Sequence, residues 1–201
     1  MYNWQKLSLE EKELSLNPKK AVIEHPKLQA IATSSAKKFR DAHPNKYLDI
    51  TYGKRVNQKL DIFLPKTINN NPVQLYFHGG YWIARDKFDH SHLAKPAINN
   101  NIIHVSVNYD LSPNVTLDII VEETYECLEW IIKNISDYGG NPNNINLVGH
   151  SAGAHLVAMA LTRNYSINSF IKSAILISGI YQPQITQYLS ISKKIKLNKD
   201  I

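Results

Sequence analysis

The sequence predicts an α/β fold in which a mostly parallel sheet is covered by helices on both faces. Three observations predict it. Short apolar runs alternate with segments of helical period along most of the chain. One such run, Asn146-Leu147-Val148, leads into Gly149-His150-Ser151-Ala152-Gly153 and then into an apolar segment of helical length. Another, Val73 to Phe77, ends in His78-Gly79-Gly80.

Residues 3–16 mix Leu7, Leu9, Leu14 and Leu16 with acids and lysines, as a surface helix does, and Asn17-Pro18 breaks it. A second helical pattern over 26–41 carries Leu28, Ile31, Ala32, Ser35 and Phe39. Together they form an N-terminal helical segment, 1–44, ahead of a core, 45–201. From Tyr47 the period becomes two. Leu48, Ile50 and Tyr52 alternate with polar residues, Gly53 turns the chain, and Leu60, Ile62 and Leu64 alternate again, an antiparallel pair closed by Pro65. Asn69-Asn70-Asn71-Pro72 reads as a surface turn.

A short helix is expected over 89–100 and a parallel strand, covered on both faces, over 102–107. His104 within it is expected to be a hydrogen-bonded buried residue. Residues 117–135 are the clearest helix: Leu117, Ile120, Val121, Thr124, Leu128, Ile131, Ile132 and Ile135 mark one face, and Glu122, Glu123, Glu126 and Glu129 the other. Tyr138-Gly139-Gly140-Asn141-Pro142 ends it. Strand 145–149, a buried helix over 152–162 and strand 174–177 complete the alternation.

The stretch from Gly149 to Gly153 has the form G-x-S-x-G between a strand and a helix. A serine on so sharp a turn takes a strained backbone, and both flanking positions must be nearly free of side chain for the turn to close. Ser151 is therefore the candidate nucleophile. The Ala152 amide, at the start of the helix, is a candidate donor to a developing oxyanion. Upstream, the two glycines after His78 let amides around Gly79, Gly80 and Tyr81 face the same point. Losing one such donor typically costs about 3 kcal/mol of transition-state stabilisation. The five residues alone fit a solvated serine in a glycine-lined turn equally well, and it is the second motif, in the right order, that favours catalysis. Tyr81 and Trp82 are candidates for the substrate pocket and hint at an aromatic or apolar substrate, while aromatics there could also simply pack the loop.

These two motifs, with Val107-Asn108-Tyr109, Tyr138-Gly139-Gly140-Asn141-Pro142 and Ser178-Gly179-Ile180-Tyr181, resemble the α/β-hydrolase superfamily from about residue 45 onward. Within it, Tyr81-Trp82 after His-Gly-Gly resembles the kynurenine formamidase (arylformamidase)-like and related esterase branch. The resemblance implies an α/β-hydrolase fold with N-terminal helices over the active-site mouth. It also implies a serine hydrolase acting on an N-formyl arylamide or a small carboxylic ester, with triad residues in the order Ser, Asp or Glu, His.

After Ser151 the only residues of those types are His155 and Asp200. His155 lies one turn along a helix running beneath the elbow, so it is expected to pack rather than react. His78 and His150 are expected to place backbone, and His90 or His92 could approach the mouth. The resembled family draws its Asp and His from segments that would begin where this chain stops. Tyr181-Gln182-Pro183 lacks the aspartate relatives often carry there, and Asp110 stands where an arginine is usual. The C-terminal strands and helices are thus expected to be missing and the last strand to be an open edge. A second reading stays open, that of a catalytically inactive truncated scaffold with a binding or regulatory role.

With 201 residues, the chain is the size of one domain with a continuous core. Its net charge of +6 collects at Lys19-Lys20, Lys37-Lys38-Arg40 and Lys193-Lys194-Lys196-Lys199, with no nucleic-acid motif beside it, so solvated ends are expected and not a nucleic-acid partner. The first twenty residues are too polar for a signal peptide and no apolar run reaches membrane-spanning length, so a cytoplasmic protein with no membrane partner is expected. The single Cys127 excludes an internal disulfide and is expected to pack. Scattered histidines and the lack of a phosphate-cradling glycine loop lead to no expected metal or cofactor. The expected partner is a small-molecule ester or formamide, and assembly stays open between monomer and homodimer.

Overall fold

The computed structural model describes residues 4–163 and 166–197; Lys199 and Asp200 lie outside them. Six strands, β1 (Lys46–Thr51), β2 (Lys59–Phe63), β3 (Asn71–Phe77), β4 (Ile103–Val107), β5 (Gly140–His150) and β6 (Ile171–Ile177), form one sheet in the order β1-β2-β4-β3-β5-β6. The β1–β2 and β2–β4 pairings are antiparallel. Those of β3 with β4, β3 with β5 and β5 with β6 are parallel. The alternating segment 47–64 thus forms the expected antiparallel entry, because a short turn can join only antiparallel neighbours.

Among the described residues six α-helices accompany the sheet: α1 (Leu9–Leu16), α2 (Pro18–Ala21), α3 (His25–Ala42), α4 (Ala94–Asn99), α5 (Leu117–Asn134) and α6 (Ala152–Thr162). Against β5 lie α5 and α6. Against β4 lie α4 and a 3₁₀ segment, Lys87–Leu93, on which α3 packs. The three central strands are the core: Val73, Leu75, Phe77, Ile103, Val105, Ile145 and Leu147 are wholly buried. His104 is buried among them as expected, its Nδ1 2.9 Å from Gln74 Oε1 and its Nε2 3.2 Å from Ser106 Oγ. Cys127 is buried and free.

Some expectations need correction. Asn71 belongs to β3 rather than to a surface turn, because its buried side-chain amide donates to the carbonyls of Thr67 and Asn101 at 3.2 and 2.7 Å. The patterned face of α3 is solvated at Leu28 and Ile31, both more than half exposed; the helix rests mainly on the 87–93 segment and meets the sheet near its C-terminal end, where Phe39 packs on Phe63 of β2 at 5.3 Å. The Lys-rich end is not featureless: Ile195 is buried, and the Lys196 carbonyl accepts the N–H of Leu117 at the start of α5 at 3.0 Å. Among the described strands β6 pairs with β5 alone, and Ile175, Leu176 and Ile177 are all exposed, which is the expected open edge.

Glu123 is also misplaced by the helical pattern. It is buried, accepts the Asp110 N–H at 2.7 Å, and has Arg55 Nε 3.4 Å away, partners brought by two distant loops. Burial above all, and the neighbouring Asp110 charge, push its carboxyl up to about 7. A folded-state value above the unfolded one favours the fold at low pH, and this contribution is lost as pH rises from the ordinary glutamate range through about 7. Glu123→Gln is therefore expected to flatten the pH dependence of the thermal midpoint over that window. An unchanged slope in calorimetry would contradict it.

Beside β2 a ring of charges joins three elements. Arg40 of α3 pairs with Asp61, which is wholly buried, and lies 3.7 Å from Asp49. Lys87 Nζ reaches Asp49 at 2.6 Å and Asp61 at 3.2 Å, and the Asp49 N–H donates to Asp61 Oδ1 at 2.8 Å.

Candidate active site

Ser151 sits between β5 and α6 with φ 54° and ψ −116°, a left-handed backbone that a non-glycine residue adopts only under constraint. Its N–H donates to the Ile177 carbonyl at 2.8 Å, which ties the turn to the end of β6. Glycine is required on both sides by close approach. A Cβ on Gly149 would stand 2.4 Å from the Gly153 carbonyl oxygen, and one on Gly153 would stand 2.0 Å from that of Phe77. Ala152 opens α6, so its N–H is among the donors that the helix itself leaves without a partner.

The His-Gly-Gly loop lies directly against this turn, since a Cβ on Gly79 would be 3.0 Å from Ser151 Cβ. Left-handed backbone then recurs at Gly80 (φ 123°), Tyr81 (52°), Trp82 (57°) and Arg85 (85°). His78 anchors the start of the loop. Its ring is buried, stacks on Tyr109 with centroids 4.3 Å apart, and places Nδ1 2.8 Å from the Gly79 carbonyl oxygen. Burial holds its pKa below the ordinary histidine value.

A cavity of about 620 Å³ opens on Ser151. Tyr81 and His150 form one side, residues 178–182 the other, and Ser15, Leu16 and Pro18 border it from the N-terminal segment. Two hydrogen bonds fasten that segment near the cavity. Tyr81 Oη donates to the Leu16 carbonyl, and the buried Glu13 carboxylate accepts the Ser190 N–H. The Ser190 bond first, with Asn17 at 3.1 Å and Lys20 at 3.2 Å, holds Glu13 at about 2. A lowered folded-state value stabilises above the ordinary glutamate range and is lost as pH falls toward about 2. The stability difference between the parent chain and Glu13→Gln should thus shrink across that fall, as acid-titrated thermal melts would show.

A groove of about 600 Å³ between residues 52–58 and α5 carries Lys54, Arg55 and Glu126 but no serine, threonine, cysteine or histidine, so the Ser151 cavity is the candidate site. Ser151 and Tyr81 border that cavity; Gly79, Gly80 and Ala152 are not among the residues lining it, although Gly79 lies against Ser151 and Ala152 follows it at the start of α6. Trp82, expected in the substrate pocket, is corrected by its burial. It is wholly enclosed and packs edge-on against His155 at 5.1 Å, so the indole is held in the core and not in the cavity wall. His155 packs as expected, with burial lowering its pKa to about 4.

Neither His90 nor His92 borders the cavity. His90 lies tilted against Tyr76 at 5.4 Å and stacks on His78 at 6.1 Å, and burial lowers it to about 3. The histidine that does border it is His150, which the sequence reading confined to backbone placement. Ser178 was also passed over, although it follows a strand beside β5 at the carboxyl end, where sites of parallel sheets form. Among the described residues no imidazole is hydrogen-bonded to Ser151 Oγ. Among them, too, no group of three or more His, Cys, Asp or Glu side chains could hold a metal, and no helix is long and apolar enough to cross a membrane.

A family model described as an α/β-hydrolase fold matches residues 74–200. The chain is 30% identical over 212 residues to a kynurenine formamidase of Danio rerio, a match covering 100% of this chain and 70% of that protein. It is 36% identical over 115 residues to the isoprenylcysteine alpha-carbonyl methylesterase ICME of Arabidopsis thaliana, covering 56% of this chain and 26% of the relative. Among solved structures, a Silicibacter sp. protein whose description carries a provisional thioesterase assignment superposes with a TM-score of 0.82 at 26% identity, over 96% of this chain and 72% of that one.

Proposed function

Because this chain belongs to the α/β-hydrolase family, among formamidase- and esterase-like proteins, we propose that it is a serine hydrolase acting through Ser151 on an N-formyl arylamide or a small carboxylic ester. The observation that carries this reading is the strained Ser151 held against the Gly79–Tyr81 loop at the mouth of a cavity. In the proposed reaction Ser151 Oγ adds to the carbonyl carbon and loses its proton to a base. The carbonyl electron pair moves to oxygen, where the N–H groups of Ala152 and of Gly80 or Tyr81 receive it. Collapse expels the alcohol or arylamine, which takes that proton from the base; water, giving a proton to the same base, then adds to the acyl group and releases it as the acid while the serine regains its proton. Tyr81 in the cavity wall offers an aromatic face to an aryl substituent. The names of the relatives support both a formamide and an ester as the scissile group.

The test is labelling of the 201-residue chain with a fluorophosphonate, followed by peptide mapping, with Ser151→Ala as the control. The expected result is a single adduct on Ser151 that the variant does not form. A folded chain that stays unlabelled would favour the second reading, a scaffold that binds ligand in this cavity without turnover. The absence of an imidazole bonded to Ser151 Oγ among the described residues is the observation on that side.

A further inference from the structure

The loop that carries the candidate oxyanion donors runs from His78 to Lys87 and holds four residues in left-handed backbone, a conformation that persists only when its surroundings over-determine it. Both of its ends meet one side chain. Asn108 follows β4, is buried, and has every bonding direction but one committed. Its Oδ1 accepts the Lys87 N–H at 3.2 Å and lies 3.2 Å from His78 Nε2, while its Nδ2 donates to Asp86 Oδ2 at 2.9 Å. Its main chain is fixed independently, by a 2.6 Å bond from Tyr52 Oη to its carbonyl and a 2.9 Å bond from its N–H to the Lys59 carbonyl. The amide cannot be flipped without loss, because the Lys87 N–H can only donate and the Asp86 carboxylate can only accept.

We propose that Asn108 is a positioning residue that clasps the two ends of the His78–Lys87 loop and so aims the amides of Gly80 and Tyr81 at the Ser151 cavity. The inference takes its chemical meaning from the serine-hydrolase reading but stands geometrically on the hydrogen bonds of Asn108. His78 transmits the clasp. Asn108 Oδ1 faces Nε2 and the Gly79 carbonyl oxygen faces Nδ1; a neutral ring carries one N–H, so it donates to one of these oxygens and packs against the other, which sets it between the clasp and the peptide whose N–H belongs to Gly80. Asp86 transmits it at the far end, where its other oxygen accepts the Phe88 N–H at 3.0 Å and starts the 3₁₀ segment.

The test is residue-resolved hydrogen exchange on the 201-residue chain. Two amides report on the loop itself, Ile83, which donates to the Gly80 carbonyl at 3.1 Å, and Ser112, which donates to that of Trp82 at 2.8 Å. In Asn108→Leu both should exchange about tenfold faster while β5 and α5 keep the parent rates. In Asn108→Asp, which retains both acceptor positions but sets a carboxylate against Asp86, the same two amides should also speed up. The double variant Asn108→Asp/Asp86→Asn exchanges donor for acceptor within the same pair and should return them to within about threefold of the parent.

Unchanged loop exchange in the single variants would overturn the proposal. So would a uniform rise across the molecule, or a double variant no better than Asn108→Asp. The same variants also separate this proposal from the function it serves. Where the parent chain labels at Ser151, Asn108→Leu should lower the maximal labelling rate about tenfold and leave the half-saturating probe concentration unchanged, as expected when only transition-state contacts are lost. A parent chain that does not label would end the serine-hydrolase reading and leave the exchange result to decide the clasp.

Discussion

Gly153→Ala is expected to lower the thermal midpoint by about 6–12 °C and to abolish Ser151 labelling at temperatures where the variant is still folded. Alanine is the better helix former and would by itself contribute up to about 1 kcal/mol. The space decides otherwise. The new Cβ would stand 2.0 Å from the Phe77 carbonyl oxygen, 2.5 Å from its carbon and 2.6 Å from the His78 carbonyl oxygen, all of them backbone that cannot rotate aside. Overpacking typically costs 1–3 kcal/mol, and a clash with a central strand belongs at the upper end, about 3 kcal/mol or somewhat more. Separating α6 from β3 also moves His78 and the loop after it, so reactivity should fall further than stability. Calorimetry and labelling on one preparation check both parts. A variant with the parent midpoint and labelling rate would show that the turn can open without loss.

Asp61→Asn should be the other severe change, lowering the midpoint by about 10 °C or more. Asp61 is wholly buried and receives Arg40, Lys87 and the Asp49 N–H. The amide keeps the shape but removes the charge, which leaves the buried Lys87 ammonium to Asp49 alone. Breaking a buried pair from one side costs about 3–5 kcal/mol, most of it the desolvation of the partner left behind. Removing both partners should cost less than the sum. The double variant Asp61→Asn/Lys87→Met is therefore expected to be more stable than additivity predicts, by about 1–3 kcal/mol in a double-mutant cycle. Additive losses would mean that the two groups are solvated independently in spite of their 3.2 Å separation.

Some of this protein was legible in the sequence. The strand 103–107, the helix 117–134 and the turn at Ser151 are local: an apolar run, a period of 3.6 and a glycine pair each carry their own signal. Glu123 was not. Its spacing along α5 matches that of its solvated neighbours, and only Arg55 and the Asp110 amide, arriving from elsewhere, make its burial tolerable. Trp82 was misjudged for a related reason, since residue order gives its place in the loop but not that its indole is held in the core.

The sequence by itself determined the fold class, the nucleophile candidate and the loop set against it, because each depends on short-range backbone constraints written into consecutive residues. Only the tertiary structure decided that His150 and Ser178 share a cavity with Ser151, and that His90 and Trp82 do not. It alone brought Asn108 between the two ends of the loop, and drew Glu13 and Ser190 together across most of the chain. Those contacts join residues distant in sequence, and a buried polar group takes whichever partner the packing brings to it.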